Sequence, residues 1–141
     1  MKEPSARSAS SVLDIVTAVI RDETGRMLLV RKRGTATFMK PGGKRDVGED
    51  DLTTLARELE EELGCRLVSA DLLGHFSAPA ANEAGFTVQS ATYLAVVEGE
   101  IAPRAEIEEI VWVDPAAPGD LRLAPLLTRL VLPALLTPLA L

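Results

Sequence analysis

Along the chain, apolar positions recur first at the spacing of strands, then of a helix, then of strands again. "LDIVTAVIRDETGRMLLVRKRG" holds two apolar runs on either side of "DETG". A short polar turn ending in glycine between such runs predicts a β-hairpin. "TATFMKPGGK" then breaks the pattern, with Pro41 and the Gly42–Gly43 pair marking a tight loop. From about Asp50 to Leu63 the period is helical. Leu52, Leu55, Ala56, Leu59 and Leu63 recur three and four apart, and Gly64 follows as a C-cap. Strand patterns return in "CRLVSADLLGHFSAP", "GFTVQSATYLAVVEG" and "EEIVWVDP", the first two separated by the loop "AANEAG". A final helix is expected from about Leu123 to Leu136. The order of hairpin, loop, helix, strands and helix predicts an α/β (α+β) fold, a mixed β-sheet flanked by helices.

With 141 residues the chain has room for one domain with a real core. Residues 1–11, rich in serine, are expected to fray, leaving a domain over 12–141. There is no internal repeat and no low-complexity segment. "MKEPSARSASSVLD" lacks the apolar centre of a signal peptide. The oily terminal stretch "LAPLLTRLVLPALLTPLAL" carries Arg129 and Pro125, Pro133 and Pro138, which favours a packed helix over a membrane span. Cys65 is the single cysteine and has no internal partner, in keeping with a reducing cytoplasm. Net charge of −6 argues against binding nucleic acid or an anionic membrane broadly. A small anionic substrate remains compatible if cations bridge it to the protein.

The acidity is concentrated. "GGKRDVGEDDLTTLARELEEELGC", residues 42–65, holds eight acidic residues and only Lys44, Arg45 and Arg57 against them. Like charges three or four apart weaken a helix, so the run suggests a positive charge supplied from outside. With side chains advancing about 100° per residue, Glu62 and Glu61 lie at roughly +40° and −60° from Glu58. The three share one edge beside the leucine stripe, and Glu60 points away into solvent. Oxygen ligands of this kind suit Mg²⁺ or Mn²⁺. The plain alternative is a solvated acidic face.

The spacing of the loop and helix decides between these readings. Gly43, Glu49, Arg57, Glu58, Leu59, Glu61, Glu62 and Gly64 fit G-x5-E-x7-R-E-U-x-E-E-x-G-U, where U is a bulky aliphatic residue. Seven near-fixed positions make a chance match on the order of one in 10⁸. This stretch resembles the Nudix box, departing from it at the last position, where Cys65 stands for an aliphatic. The flanking order of elements is similar to the Nudix fold, an α/β/α sandwich.

The resemblance implies metal-dependent cleavage of a nucleoside diphosphate linked to a group X. It makes Glu58, Glu61 and Glu62 metal ligands, with the Gly42 carbonyl as another. Glu49 is expected to pair with Arg57 and hold the loop, and Gly43 to allow close backbone approach. Glu106 resembles an acidic residue that MutT-type members use as an additional ligand; Glu108, Glu109 and Glu83 are alternatives, or all are solvated acids. Candidate phosphate contacts are Arg31, Arg33, Lys40, Lys44 and Arg45. Strand alternation puts Arg31 and Arg33 on one face and Lys32 on the other. Lys40 stands where many relatives carry an apolar or acidic residue, and is either a phosphate contact or a solvated lysine.

Phe38, Phe76, Phe86 or Tyr93 can stack on a base or belong to the core. Asn82 can read a base edge or serve the turn. His75 and Cys65 read as structural. The small size is similar to MutT-type proteins that hydrolyse ordinary or oxidised nucleoside triphosphates. ADP-ribose, nucleotide sugars and dinucleoside polyphosphates are the other substrates to weigh, and a silent nucleotide sensor is the rival from another class. The terminal leucines leave a homodimer open.

Overall fold

The computed structural model describes residues 11–136; the expected frayed stretch lies, save Ser11, outside them, as do residues 137–141. Seven strands run β1 Val12–Ile20, β2 Met27–Lys32, β3 Phe38–Met39, β4 Gly42–Lys44, β5 Arg66–Pro79, β6 Thr87–Glu98 and β7 Ile107–Val113. Helix α1, Asp51–Leu63, lies between β4 and β5. The last helical segment begins at residue 125, passes through a π-helical turn, Leu127–Val131, and closes with α2, Leu132–Leu136. The mixed α+β class expected from the sequence is borne out, and its strands divide into two sheets.

One sheet has the order β4-β1-β6-β5 and the other β3-β2-β7. β1 runs parallel to β6 from Val12↔Thr87 to Ile20↔Ala95 and antiparallel to β4. Here the sequence reading needs correction, because β1 and β2 form no hairpin ladder. The turn itself is as expected: Asp22 Oδ1 accepts from the Thr24 and Arg26 amides at 2.9 Å, and Gly25 takes φ 87°. A single bridge, Arg21↔Met27, follows. The strands then part, since each has apolar residues on both faces and finds ladder partners in a different sheet.

Two clusters fill the interior. Val16, Ala18, Ile20, Leu28 and Val30 pack with Leu55, Leu59 and Leu63 of α1. The opposite faces of the same strands, Val19, Met27 and Leu29, pack with Leu126, Leu127, Val131 and Leu132 of the last helix. That helix takes its wide turn just before Pro133, which has no amide to donate and whose ring crowds an ordinary turn. Leu126, Leu127 and Leu132 serve this one core, Leu130 and Leu135 pack partly against it, and Leu136 is exposed.

α1 starts at Asp50, whose carboxylate accepts from the Thr53 amide at 2.9 Å. It ends at Gly64, φ 75°, where a Cβ would meet the Arg104 guanidinium at 2.5 Å. Leu52, expected in the core stripe, is exposed. Thr54 is buried in its stead and donates to Glu49 at 2.8 Å. Phe38–Lys44, expected as irregular loop, holds two short strands. β3 pairs with β2 and β4 with β1, so this segment crosses from one sheet to the other.

Candidate active site

The crossing segment and α1 meet at the double glycine. At Gly42, φ 143°, a Cβ would lie 2.1 Å from the Val16 carbonyl oxygen, so β4 approaches β1 as only glycine allows. At Gly43 a Cβ would lie 2.5 Å from the Glu58 carboxyl carbon and Oε2. The loop backbone is thus laid directly against the carboxylate edge of the helix. The Gly42 amide donates to Glu62 Oε1 at 3.1 Å.

The loop returning to the helix is held by ion pairs, Arg45 with Asp51 at 2.8 Å and Arg57 with Glu49 and Asp46. Arg57 donates from Nε to Glu49 Oε2 at 2.8 Å and from Nη2 to Oε1 at 2.9 Å, a two-bonded fork. The Asp46 amide and the Thr54 hydroxyl donate to the same carboxylate, each at 2.8 Å. These donors, Arg57 first, hold the Glu49 carboxyl down at about 2. The remaining Arg57 bonds reach the Lys44 carbonyl at 3.0 Å, Glu58 at 3.1 Å and Glu61 at 3.5 Å. Arginine therefore ties loop and helix together and offsets part of the acidic charge.

Glu62 is 2% exposed. Burial pushes its carboxyl up to about 8, with Glu58 and Glu106 adding to the rise and the Gly42 amide and Lys32 opposing it. Burial also raises Glu58, against Arg57. One helical turn apart, the two acids are poor neighbours as anions. Among the described residues no three Asp, Glu, His or Cys side chains gather at metal-holding distance, and Glu61 stays exposed beside Arg57. The donor chemistry nevertheless fits a hard divalent cation: oxygen atoms only, one carboxylate buried and another half-buried, and a glycine backbone beside them.

The acids open on a cavity of about 490 Å³ between the sheets, in the range of small-molecule sites. Its lining includes the acids Glu58, Glu62 and Glu106 and the cations Lys32, Arg33 and Lys44, with Lys32 3.8 Å from Glu106. Leu13, Ile15, Met39, Val88 and Leu126 give it an apolar wall. Lys40 and Asn82 also line it. Such a space suits a ligand with an anionic end and a flat apolar body.

The profile of the NUDIX domain family matches residues 13–132. The chain belongs to the Nudix family. It is 35% identical over 69 residues to an 8-oxo-dGTP diphosphatase of Haemophilus influenzae, covering 46% of this chain and 51% of that one. It is 37% identical over 93 residues to Nudix hydrolase 3 of Caenorhabditis elegans, covering 62% and 38%. The matches thus span about half or less of these relatives' lengths. Among solved structures it is similar to the MutT Nudix hydrolase of Burkholderia pseudomallei, with TM-score 0.67, 28% identity and coverage of 78% and 89%. The E. coli ORF135 protein shares the fold, with TM-score 0.71, 23% identity and coverage of 89% of each chain.

Around the Nudix box, the structure brings together some of the residues singled out in the sequence and separates others. Glu58, Glu62, Glu106, Gly42, Gly43, Arg33, Lys40, Lys44, Asn82 and Glu83 share the cavity. Glu61 does not line it, and Glu60 is exposed. Arg31 lies outside it, bonded to Glu109 at 3.0 Å and to the Thr35 carbonyl, with its guanidinium 6.0 Å from the Phe38 ring. Phe38 is core, and Phe76 packs partly against the same cluster. Glu108 pairs with Arg33 at 3.1 Å, and Arg45 is engaged by Asp14 and Asp51. Tyr93 donates to Asp51 at 2.6 Å.

Lys32 was missed. Lys32 follows Val30 by two along β2 and both line the cavity, so alternation itself carries Lys32 there, 3.8 Å from Glu106, while Arg31 faces away. Thr17 was missed too. It lines the cavity and bonds to Ser90 at 2.8 Å, one buried polar position inside an apolar run.

Proposed function

We propose that this Nudix protein is a divalent-metal-dependent pyrophosphohydrolase that cleaves nucleoside triphosphates, oxidised ones included, to the monophosphate and pyrophosphate. The observation that carries this reading is the pair of buried Glu62 and half-buried Glu58, set against the double glycine and lining the cavity. Glu58, Glu61, Glu62, Glu106 and the Gly42 carbonyl would hold Mg²⁺ or Mn²⁺. A divalent ion there supplies charge neutralisation at phosphate and acidification of an attacking water.

The chain's own residues do the rest. Arg57 and Glu49 fix the loop against the helix, so that Glu58 and Glu62 are presented together. Lys32, Arg33 and Lys44 offer positive charge to the phosphates. The apolar wall takes the base and excludes water from that end. Glu106, on the approach to β7, lines the same cavity as the helix acids and would take part in activating water. The name of the Haemophilus relative puts oxidised guanine nucleotides at the head of the substrates to try.

The test is a panel with Mg²⁺ or Mn²⁺, with and without chelator, reading released phosphate and pyrophosphate. It holds ordinary and oxidised nucleoside triphosphates, ADP-ribose, nucleotide sugars and dinucleoside polyphosphates. Metal-dependent pyrophosphate release from a triphosphate is the expected result. Cleavage confined to another class would replace the substrate assignment. Nucleotide binding with no turnover on any class would point to a silent sensor.

A further inference from the structure

The connection 99–106, between β6 and β7, is tied to the C-terminal end of α1. The Ala102 amide donates to the Leu63 carbonyl at 3.1 Å, and the Arg104 amide donates to the Glu62 carbonyl at 2.9 Å. Both carbonyls belong to the last helical turn, whose oxygens have no partner within the helix. The Arg104 guanidinium covers Gly64: a Cβ on that glycine would lie 2.5 Å from Cζ and 2.6 Å from Nε. The last turn of α1 runs Glu60, Glu61, Glu62, Leu63 and holds no basic residue. The negative end of the helix thus takes its cation from a distant part of the chain.

Two residues after Arg104, Glu106 lines the cavity with Glu58 and Glu62. Its backbone is fixed on both sides. The Ile107 amide donates to the Arg104 carbonyl at 2.9 Å, which closes a tight turn, and the Glu106 carbonyl accepts the Arg33 amide at 2.8 Å. Between them Ala105 takes φ 54°, the one positive φ on a non-glycine among the described residues. A side chain disfavours that conformation, and it persists where surrounding contacts impose it. The Glu106 side chain meets Lys32 only at 3.8 Å, so the backbone turn sets where this acid stands.

We infer that Arg104 is a positioning residue: seated on the Gly64 end of α1, it braces the turn that sets Glu106 at the cavity beside Glu58 and Glu62. Two of these acids come from the helix and the third from a remote connection, and Arg104 joins the two elements. Arg104 does not itself line the cavity, so it acts through Glu106. The inference rests on the reading above, in which Glu106 would hold the cation, and adds to it a residue that touches neither cation nor substrate.

The experiment is a double-mutant cycle on Arg104→Ala and Glu106→Gln. It reads Mn²⁺ affinity by titration calorimetry and kcat on the triphosphate that wild type cleaves best. Residues that orient metal ligands contribute about ten- to a hundredfold, so Arg104→Ala is expected to weaken Mn²⁺ binding about tenfold and to lower kcat with it. In the Glu106→Gln background the same substitution should change either quantity by less than about twofold, because the acid it positions is already lost. Thermal melts in chelator show that the fold is kept. If the alanine variant melts early, Arg104→Gln, which keeps much of the side chain without its charge, replaces it in the cycle. An equal Arg104→Ala loss in both backgrounds would assign Arg104 to general stability and overturn the inference, as would no loss in either. If Glu106→Gln alone changes nothing, Glu106 leaves the proposed ligand set and the inference falls with it. Where no triphosphate is turned over, Mn²⁺ affinity decides the cycle by itself, and a wild type that binds no Mn²⁺ overturns both readings.

Discussion

The Glu62 carboxylate accepts the Gly42 amide at 3.1 Å while almost wholly removed from water. That one bond does not compensate its burial, and its carboxyl is raised to about 8. An ordinary glutamate titrates near 4.5, so the metal-free fold prefers Glu62 protonated. The stability tied to this preference is fully present below about 4.5 and is lost as pH rises through about 8. Thermal unfolding in chelator should therefore show a Tm that declines across that window. Glu62→Gln should flatten the decline and melt higher than wild type at neutral pH. A steeper or unchanged profile in the variant would show that Glu62 is not the group responsible.

The same residue couples metal to protons. A cation that prefers the ionised carboxylate must displace the proton, so apparent Mg²⁺ or Mn²⁺ affinity should strengthen as pH climbs toward 8. Calorimetric titrations in two buffers of different ionisation enthalpy will count the protons released. Release near pH 7 is expected in wild type and a smaller release in Glu62→Gln.

The two glycines should separate stability from activity. Gly42→Ala drives a Cβ into the Val16 backbone at 2.1 Å and must hold φ 143°. Neither can relax cheaply, so the variant should be severely destabilised or insoluble. Gly43→Ala meets only the end of the Glu58 side chain, which can swing aside. It should melt near wild type yet lose turnover, because the displaced carboxylate is a ligand in the proposed site. Melts and rates for both variants check the contrast.

How far the sequence discloses the molecule follows from the range of each signal. α1, its caps and the Glu49–Arg57 pairing rest on contacts within fifteen residues, and their spacing is visible locally. The parting of β1 and β2 into separate sheets is not, because β1 takes its long ladder from β6, more than seventy residues on. β3 and β4 are too short to show a period. Lys32 shares with Val30 the face of β2 that lines the cavity, and which face of a strand meets a cavity is not visible from the strand alone. Leu52 keeps the right spacing and still misses the core, since periodicity gives a direction around the helix and not the extent of what lies beneath.

Arg57→Lys tests the fork on Glu49. Lysine keeps the charge but cannot bond both oxygens of Glu49 and also the Lys44 carbonyl. Tm should fall by several degrees, and turnover should fall with it as the loop loosens. The Glu49 carboxyl, held at about 2, contributes stability above its ordinary 4.5 that disappears as pH drops through 2. In Arg57→Lys that acid limit should move upward. An acid melt unchanged by the substitution would assign the low Glu49 value to the Asp46 amide and Thr54 instead.

Glu61 and Glu60 stand side by side on α1, both exposed, and only one belongs to the proposed ligand set. Since neither is buried, glutamine at either position should leave the metal-free melt almost unchanged. Activity should tell them apart. Glu61→Gln removes an oxygen donor to the cation and should lower turnover on the order of a thousandfold, the equivalent of several kcal/mol of lost charge stabilisation. Glu60→Gln, which points away from the carboxylate edge, should change it by less than about twofold. Raising Mg²⁺ concentration should recover part of the Glu61→Gln loss if that loss lies in affinity. Equal effects from the two substitutions would mean that Glu61 acts only through its long contact with Arg57, and the ligand set would shrink to Glu58, Glu62, Glu106 and the Gly42 carbonyl.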